Sequence, residues 1–209
     1  LIDLGFNLQE IDLVFVSHFH TDHFADVFPL VHSRWVEDIY KNCSKHKKLI
    51  MVGPKGLKKR WRLWRKIFWV EPKEDYPVLF REGKRKMSLG QSKISIFPVK
   101  HARWFASVGI VIRYQGKKLV YTGDIGSKHS FKDLIKTCQE ADLLITEASY
   151  EKTTPNHYTI EQIKKLTEKA KINKVLVVHT RPQHLERVKQ ICKKEPAFIF
   201  AKEGARIKI

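Results

Sequence analysis

The chain has 209 residues, of which 43% are hydrophobic and 30% charged, and its formal net charge is +18. These values fit one globular domain over residues 1–209 and exclude a disordered chain. No apolar run reaches the roughly 18 residues of a membrane-spanning helix, so we expect no membrane association. The three cysteines are widely spaced and form no C-x-x-C pair, which favours free thiols and a cytoplasmic location.

Short β-rich runs alternate with helical stretches along the chain, which predicts a layered α/β fold. In the first half, the pattern predicts a buried strand that runs into His18, a helix that Pro29 interrupts, a short strand and an amphipathic helix. Their predicted ranges are 12–17, 25–40, 49–52 and 55–69.

In the second half, the pattern predicts a hairpin around Gln115-Gly116-Lys117 and a helix that begins at Thr159, the first residue of a capping box. A further helix is predicted over 131–140. Strands are predicted over 94–99, 108–114, 118–122, 142–146, 174–178, 197–201 and 205–209.

Several predicted strands are followed at once by a histidine or a carboxylate. These residues are His18, His101, Asp124, Glu147 and His179. Because strands of one sheet can end along a common edge, we expect the five side chains to line one rim. A rim of imidazoles and carboxylates is a suitable place for a metal site.

The segment His18-Phe19-His20-Thr21-Asp22-His23 is dense in metal-ligating side chains. Alternate residues of an extended loop point to the same side, so His18 and His20 can face one ion. Asp22 and His23 then turn back towards a second ion close by. Neutral imidazoles with carboxylates suit zinc, manganese or iron(II).

The motif, followed by a lone histidine, aspartate and histidine, resembles the signature of the metallo-β-lactamase superfamily. The resemblance implies an αββα sandwich with two divalent ions, zinc being expected and manganese or iron the alternatives. It implies His18, His20 and His101 as ligands of the first ion. Asp22, His23 and His179 would hold the second ion, and Asp124 would bridge both.

The beginning of the chain departs from that family. Members carry several strands before the histidine-rich motif, whereas here Leu1-Ile2-Asp3-Leu4-Gly5 resembles the helix end just ahead of the motif strand. We therefore expect that part of the first sheet is missing, although every metal ligand is present.

Within the superfamily, the chain resembles ribonuclease Z and related phosphodiesterases. Leu144–Tyr150 is similar to the ribonuclease Z segment that contains His-Glu-Ala-Thr, with Thr146 in place of its histidine. Asn156-His157-Tyr158-Thr159 is similar to the segment that carries an additional catalytic histidine. The resemblance implies that His157 donates a proton to the leaving group and that Glu147 orients it, while Asp22 orients or deprotonates the attacking water.

The basic charge favours RNA as the substrate. Lys59 and Arg62 lie in a basic segment with interleaved tryptophans, which either bind bases or form the buried face of an ordinary amphipathic helix. Arg103 and Trp104, beside His101, are further candidates for substrate contact. The long tRNA-binding arm of ribonuclease Z is missing between His101 and Asp124, so a small phosphodiester is the alternative substrate. Relatives often form homodimers, which makes a dimer an expectation here.

Overall fold

The computed structural model describes residues 4–40, 47–68 and 77–209, which divide into two units, Leu1–Gly83 and Lys84–Ile209. Each unit has its own apolar core: Met51, Leu57 and Trp61 lie in the first, and Val120, Leu144 and Ile163 in the second. No described helix has both the length and the hydropathy that spanning a bilayer requires.

The first unit is built on a short parallel sheet of three strands. They are β1 (Leu13–Phe15), β2 (Leu49–Gly53) and β3 (Val78–Glu82), in that spatial order. Every residue of β2 is buried, as expected of the apolar central strand of a parallel sheet. The predicted strand over 12–17 corresponds to β1, which is shorter than predicted. Beyond the end of β1, the Val16 amide still donates to the Val52 carbonyl.

Three helices complete the first unit: α1 (Thr21–Phe24), α2 (Val27–Tyr40) and α3 (Leu57–Phe68). The predicted break at Pro29 is wrong, because Pro29 lies in the first turn of α2, where the backbone N–H needs no intrahelical partner. Trp61 is 3% exposed, and Trp64 stacks on Phe24 at 5.2 Å. The tryptophans thus form the packed face of an amphipathic helix; the predicted end at Trp69 lies outside the described residues.

The second unit contains a seven-stranded sheet with the order β10-β9-β8-β7-β6-β5-β4, antiparallel from β4 to β7 and parallel from β7 to β10. The strands are β4 (Arg85–Leu89), β5 (Ser92–Val99), β6 (Ser107–Tyr114), β7 (Lys117–Tyr121), β8 (Leu143–Glu147), β9 (Val175–Val178) and β10 (Phe198–Phe200). Gln115 and Gly116 both have positive φ, which matches the twist of a tight hairpin turn between β6 and β7.

Three helices belong to the second unit: α4 (Phe131–Cys138), α5 (Ile160–Ala170) and α6 (Leu185–Lys194). The predicted capping box at the start of α5 is confirmed. The Gln162 amide donates to Thr159 Oγ1 at 3.2 Å, and the Thr159 amide donates to Gln162 Oε1 at 2.9 Å. Two orphan amides of the helix start are thereby satisfied.

The predicted terminal strand over 205–209 is wrong. Gly204 has a φ of +72°, and the residues after it form no strand in the structure. A strand requires a neighbouring backbone for its hydrogen bonds, and in the described sheet β10 pairs with β9 alone. The alternating side chains of this segment therefore do not indicate a strand.

The sheet of the second unit brings several strand ends to one edge. β7, β8 and β9 are parallel, and β5 runs in the same direction because β6 is antiparallel to both of its neighbours. His101, Asp124, Glu147 and His179 all lie at or just after the ends of these four strands. The sheet therefore collects four of the five predicted rim residues at one edge. The prediction is wrong for His18, which follows β1 of the other sheet.

Candidate metal centre

The strand ends of the second unit form a cluster that could hold a metal ion. Its members are His101, Asp124, Glu147 and His157, each of which offers one donor atom, and these atoms lie within 4.8 Å of one another. His157 comes from the segment just before α5 rather than from a strand end. The other three belong to the predicted rim.

Asp124 lies at the middle of this cluster and is only 2% exposed. Its Oδ2 lies 3.7 Å from His101 Nε2 and 3.8 Å from His157 Nδ1, and its Oδ1 lies 3.5 Å from His179 Nδ1. These separations exceed ordinary hydrogen bonds. The separation of His101 Nε2 from Asp124 Oδ2 is close to the roughly 3.3 Å between two ligands of one tetrahedral zinc ion, so this pair fits donors that share a cation.

The orientation of the His101 ring is fixed by the backbone of the loop that precedes His157. His101 Nδ1 lies 2.6 Å from the carbonyl oxygen of Asn156. Because a carbonyl can only accept, Nδ1 carries the hydrogen and Nε2, the nitrogen nearer Asp124, keeps its lone pair. This is the outer hydrogen bond that prepares an imidazole for metal binding.

His179 is held by Ser149 in a similar way. Ser149 Oγ donates to the His179 carbonyl at 2.6 Å and lies 2.8 Å from His179 Nδ1. With its one proton used on the carbonyl, the hydroxyl accepts from Nδ1–H. His179 also has a φ of +51°, a left-handed conformation that costs a residue with a Cβ some free energy. The serine therefore stabilises both the ring and an unfavourable backbone.

Glu147 is the last residue of β8 and is 1% exposed. Its Oε2 lies 2.7 Å from His157 Nδ1, and its Oε1 accepts from the Ile125 amide at 2.7 Å. Burial raises the pKa of the Glu147 carboxyl to about 8, although the Ile125 hydrogen bond favours the ionised form. The carboxyl thus holds in place both His157 and Ile125, the residue that follows Asp124.

The histidine-rich turn of the first unit follows β1. Ser17 Oγ lies 3.0 Å from His18 Nδ1, and His18 Nε2 lies 3.0 Å from His20 Nδ1. The His18 and His23 rings approach to 4.0 Å between centroids. His20 is the N-cap of α1, so the chain turns from extended to helical here.

The second half of the motif therefore lies on the first turn of α1. His23 Nε2 lies 3.5 Å from Asp22 Oδ2, and the Asp22 side chain is 64% exposed. An exposed carboxylate beside a nearly buried imidazole can reach a solvent-accessible ion or a water molecule. The four motif residues thus gather locally, as the sequence predicts.

The donor chemistry of each set fits a zinc-type ion. Imidazoles outnumber carboxylates in the histidine-rich turn and equal them in the cluster of the second unit, whereas calcium and magnesium favour sites made of oxygen. The side chains of the second unit also have outer hydrogen bonds to a backbone carbonyl, a serine and a carboxylate. The chain thus offers candidate ligands for a divalent metal ion in each unit.

The predicted substrate-contact residues lie in two places. Arg103 and Trp104 are exposed in the loop after β5, where they line a cavity together with His101. Lys59 and Arg62 are exposed on α3 in the first unit. Their contact with a substrate stays a prediction.

Sequence reasoning missed Ser17, Ser149 and Asn156. Each bonds a candidate ligand, but only Ser17 and Ser149 carried a local signal, since Ser17 precedes the motif and Ser149 follows Glu147 by two residues. Asn156 acts through its carbonyl oxygen, which any residue supplies. No sequence pattern could have indicated it.

Comparison with known families agrees with the motif. The model of the beta-lactamase superfamily domain matches residues 4–180, which is most of the chain. The chain belongs to the metallo-β-lactamase superfamily. This family and the ribonuclease Z relatives indicate that the protein is a hydrolase.

Three similar proteins illustrate the relationship within the superfamily. Ribonuclease Z of Thermococcus sibiricus is 22% identical over 88% of this chain and 75% of its own length. The structure of the short form of human tRNase Z has a TM-score of 0.77 at 19% identity, over 100% of this chain and 83% of that chain. Zinc-bound PqqB of Methylobacterium extorquens has a TM-score of 0.67 at 16% identity, over 95% and 73% of the two chains.

These structural similarities confirm the predicted α/β metallo-β-lactamase fold. The assignment of each individual ligand, and of His157 and Glu147 to catalysis, stays a prediction that the geometry of the two units supports.

Proposed function

We propose that the protein is a dinuclear metal-dependent phosphodiesterase that cleaves RNA, as the similarity to ribonuclease Z suggests. The first ion is assigned to His18, His20 and His101, the second to Asp22, His23 and His179, and Asp124 is assigned to both. The observation that carries the proposal is the buried Asp124 carboxylate, whose Oδ2 lies 3.7 Å from His101 Nε2, the ring nitrogen that keeps its lone pair.

Divalent ions, most suitably zinc, would supply Lewis acidity at this site: they polarise the scissile phosphoryl group and make water acidic enough to act as a nucleophile near neutral pH. Asp22 is assigned to orient or deprotonate the attacking water, because its carboxylate is exposed to solvent and lies beside His23.

His157 is assigned as the general acid. Its Nδ1–H bonds to Glu147, and Nε2 is assigned to hold the proton that passes to the leaving alkoxide. The buried Glu147 carboxyl fixes the orientation of the His157 ring. Glu147 is therefore a positioning residue in this proposal and does not itself touch the substrate.

The charge of α3 supports RNA as the substrate. Lys58, Arg62 and Lys66 recur every fourth residue on one face of the helix and are all exposed. At 1.5 Å per residue, they form a row of cations spaced by roughly 6 Å, which is similar to the repeat of phosphates along a nucleic acid strand. Lys59 adds to the same exposed face.

The test compares two substrates on the metal-loaded protein: a pre-tRNA with a 3′ trailer and a small aryl phosphodiester. We expect cleavage of both, with a large preference in kcat/KM for the RNA. Cleavage of the aryl ester alone would indicate that the substrate is a small phosphodiester and not RNA. The short β6–β7 hairpin favours this alternative substrate. Cleavage of neither would contradict the proposed function.

A matched pair of histidine variants completes the test. His157→Ala is expected to lower turnover of the RNA, whereas His32→Ala, which alters an exposed histidine of α2, leaves it unchanged. A homodimer and a cytoplasmic location remain predictions, which size-exclusion chromatography with light scattering and cell fractionation would test.

A further inference from the structure

A cavity of about 1030 Å³ lies in the second unit beside the candidate metal ligands. Its wall is formed by the end of β5 and the loop that follows it, by the start of α4, and by Pro155 and Asn156. His101 is part of the same wall. A molecule that fills this space would therefore lie next to one of the proposed ligands.

The charge of the cavity wall is positive. Lys100, Arg103 and Lys128 line the cavity and are exposed, whereas Asp133 is the one carboxylate among the lining residues. Three cations against one anion attract a phosphate group, and the concave surface strengthens that field. The chemistry of the wall thus fits an anionic ligand.

The wall also carries an aromatic surface. Trp104 is 69% exposed, and the guanidinium carbon of Arg103 lies 5.5 Å from the centre of its ring. An exposed indole offers a flat face on which an unstacked base can lie, and a guanidinium beside it can bind the adjoining phosphate. A tryptophan at this exposure contributes little to the core, since its apolar surface faces water.

The cavity is tied to the candidate metal centre by backbone hydrogen bonds. The Gly126 amide donates to the Lys100 carbonyl at 2.7 Å, and the Asn156 carbonyl accepts from His101 Nδ1 at 2.6 Å. The Lys100 amide donates to His129 Nδ1 at 3.4 Å. These bonds connect the three wall segments to each other and to His101, so the cavity has a fixed distance from the site.

We propose that this cavity binds one unpaired nucleotide of single-stranded RNA next to the scissile phosphodiester. The base would stack on Trp104, and its phosphate would contact Lys100, Arg103 and Lys128. The inference rests on the proposed RNA cleavage, because the cavity would hold the strand in register with that reaction. A base within a duplex could not lie on the indole, so the cavity selects unpaired RNA.

The test is the binding of a labelled single-stranded RNA pentanucleotide, followed by fluorescence anisotropy. Trp104→Ala is expected to raise the Kd about tenfold, the effect of losing one base stack, while Trp104→Phe stays within about twofold of the wild type. Tyr114→Ala removes an aromatic residue of similar exposure (46%) at the far end of β6 and is expected to leave the Kd unchanged. Arg103→Ala is expected to reduce the slope of log Kd against log salt by about one.

An unchanged Kd in Trp104→Ala would overturn the inference. So would an equal loss in Tyr114→Ala, or an equal loss for a duplex of the same length, because neither result requires a base on the indole. Since binding is measured without turnover, a wild-type protein that binds the RNA through Trp104 but does not cleave it would contradict the proposed function alone.

Discussion

His157 Nδ1 lies 2.7 Å from Glu147 Oε2, at the end of a buried strand and beside Asp124. A carboxyl group bonded to Nδ1 fixes the orientation of the ring, so that Nε2 can exchange a proton with a substrate in the proposed reaction. The contact therefore supports a division of roles, in which His157 donates a proton and other histidines of the cluster hold an ion.

From this contact we predict that His157→Ala lowers kcat for a phosphodiester by about 10²–10⁴-fold, the usual contribution of a general acid, while the bound metal is retained. Glu147→Gln is expected to lower kcat less and to shift the basic limb of the pH–rate profile. The measurement is steady-state kinetics together with metal analysis of the same preparations. A His157→Ala protein with normal turnover would remove His157 from the mechanism.

The Ser149 hydroxyl predicts a second effect, on metal affinity. Ser149→Ala removes the contacts to both the ring and the carbonyl of His179, so we expect metal affinity to fall about 10–100-fold. Titration with a competing chelator measures this. Thr180→Val is the matched control, because the buried Thr180 hydroxyl has no hydrogen-bond partner among the described residues. Equal affinities in the two variants would mean that Ser149 does not position His179.

Gly126 lies against the loop that carries His157. A Cβ at this position would overlap the carbonyl oxygen of Pro155 and crowd Asn156. We therefore predict that Gly126→Ala lowers the melting temperature and reduces turnover at least tenfold, because the loop must shift away from His101 and Glu147. Ser127→Ala, at the exposed neighbouring position, should change neither quantity. Wild-type turnover in Gly126→Ala would show that the loop position is not needed for catalysis.

The thiols of the second unit predict a pattern of chemical labelling. Burial raises the pKa of Cys138 to about 12 and that of Cys192 to about 11. Because the thiolate is the reactive form, raised pKa values keep both residues protonated and unreactive at pH 8. Iodoacetamide followed by mass spectrometry should find Cys138 and Cys192 unmodified in the native protein and alkylated after unfolding. Rapid native alkylation of either would contradict the described packing.

Much of the candidate site could be predicted from the sequence, because neighbouring residues in the sequence are sufficient to indicate where each strand ends. The apolar runs that precede His101, Asp124 and His179 are real strands, and the capping box of α5 is where the pattern indicates. Local periodicity and turn chemistry are sufficient for such features.

Other features could not be predicted in the same way. The bonds from Ser149 to His179 and from His101 to Asn156 join residues 30 and 55 positions apart, so they depend on the assembled sheet. The strand β4 is an edge strand of mixed polarity, and the segment over 205–209 alternates without a partner. Alternating side chains alone therefore do not distinguish an edge strand such as β4 from a segment that forms no strand. The helix α6 is not among the predicted elements, although its buried residues Val188 and Cys192 have helical spacing.

The most direct test of the central claim is the number of metal ions per chain, measured by inductively coupled plasma mass spectrometry on protein purified without added metal. We predict two ions per wild-type chain, and a loss of at least one in His18→Ala, from the first unit, and in Asp124→Ala, from the second. Asp26→Ala, an exposed carboxylate of the first unit, should keep both ions. Wild-type protein that cleaves phosphodiesters fully with no bound metal, or full occupancy in both ligand variants, would contradict the account.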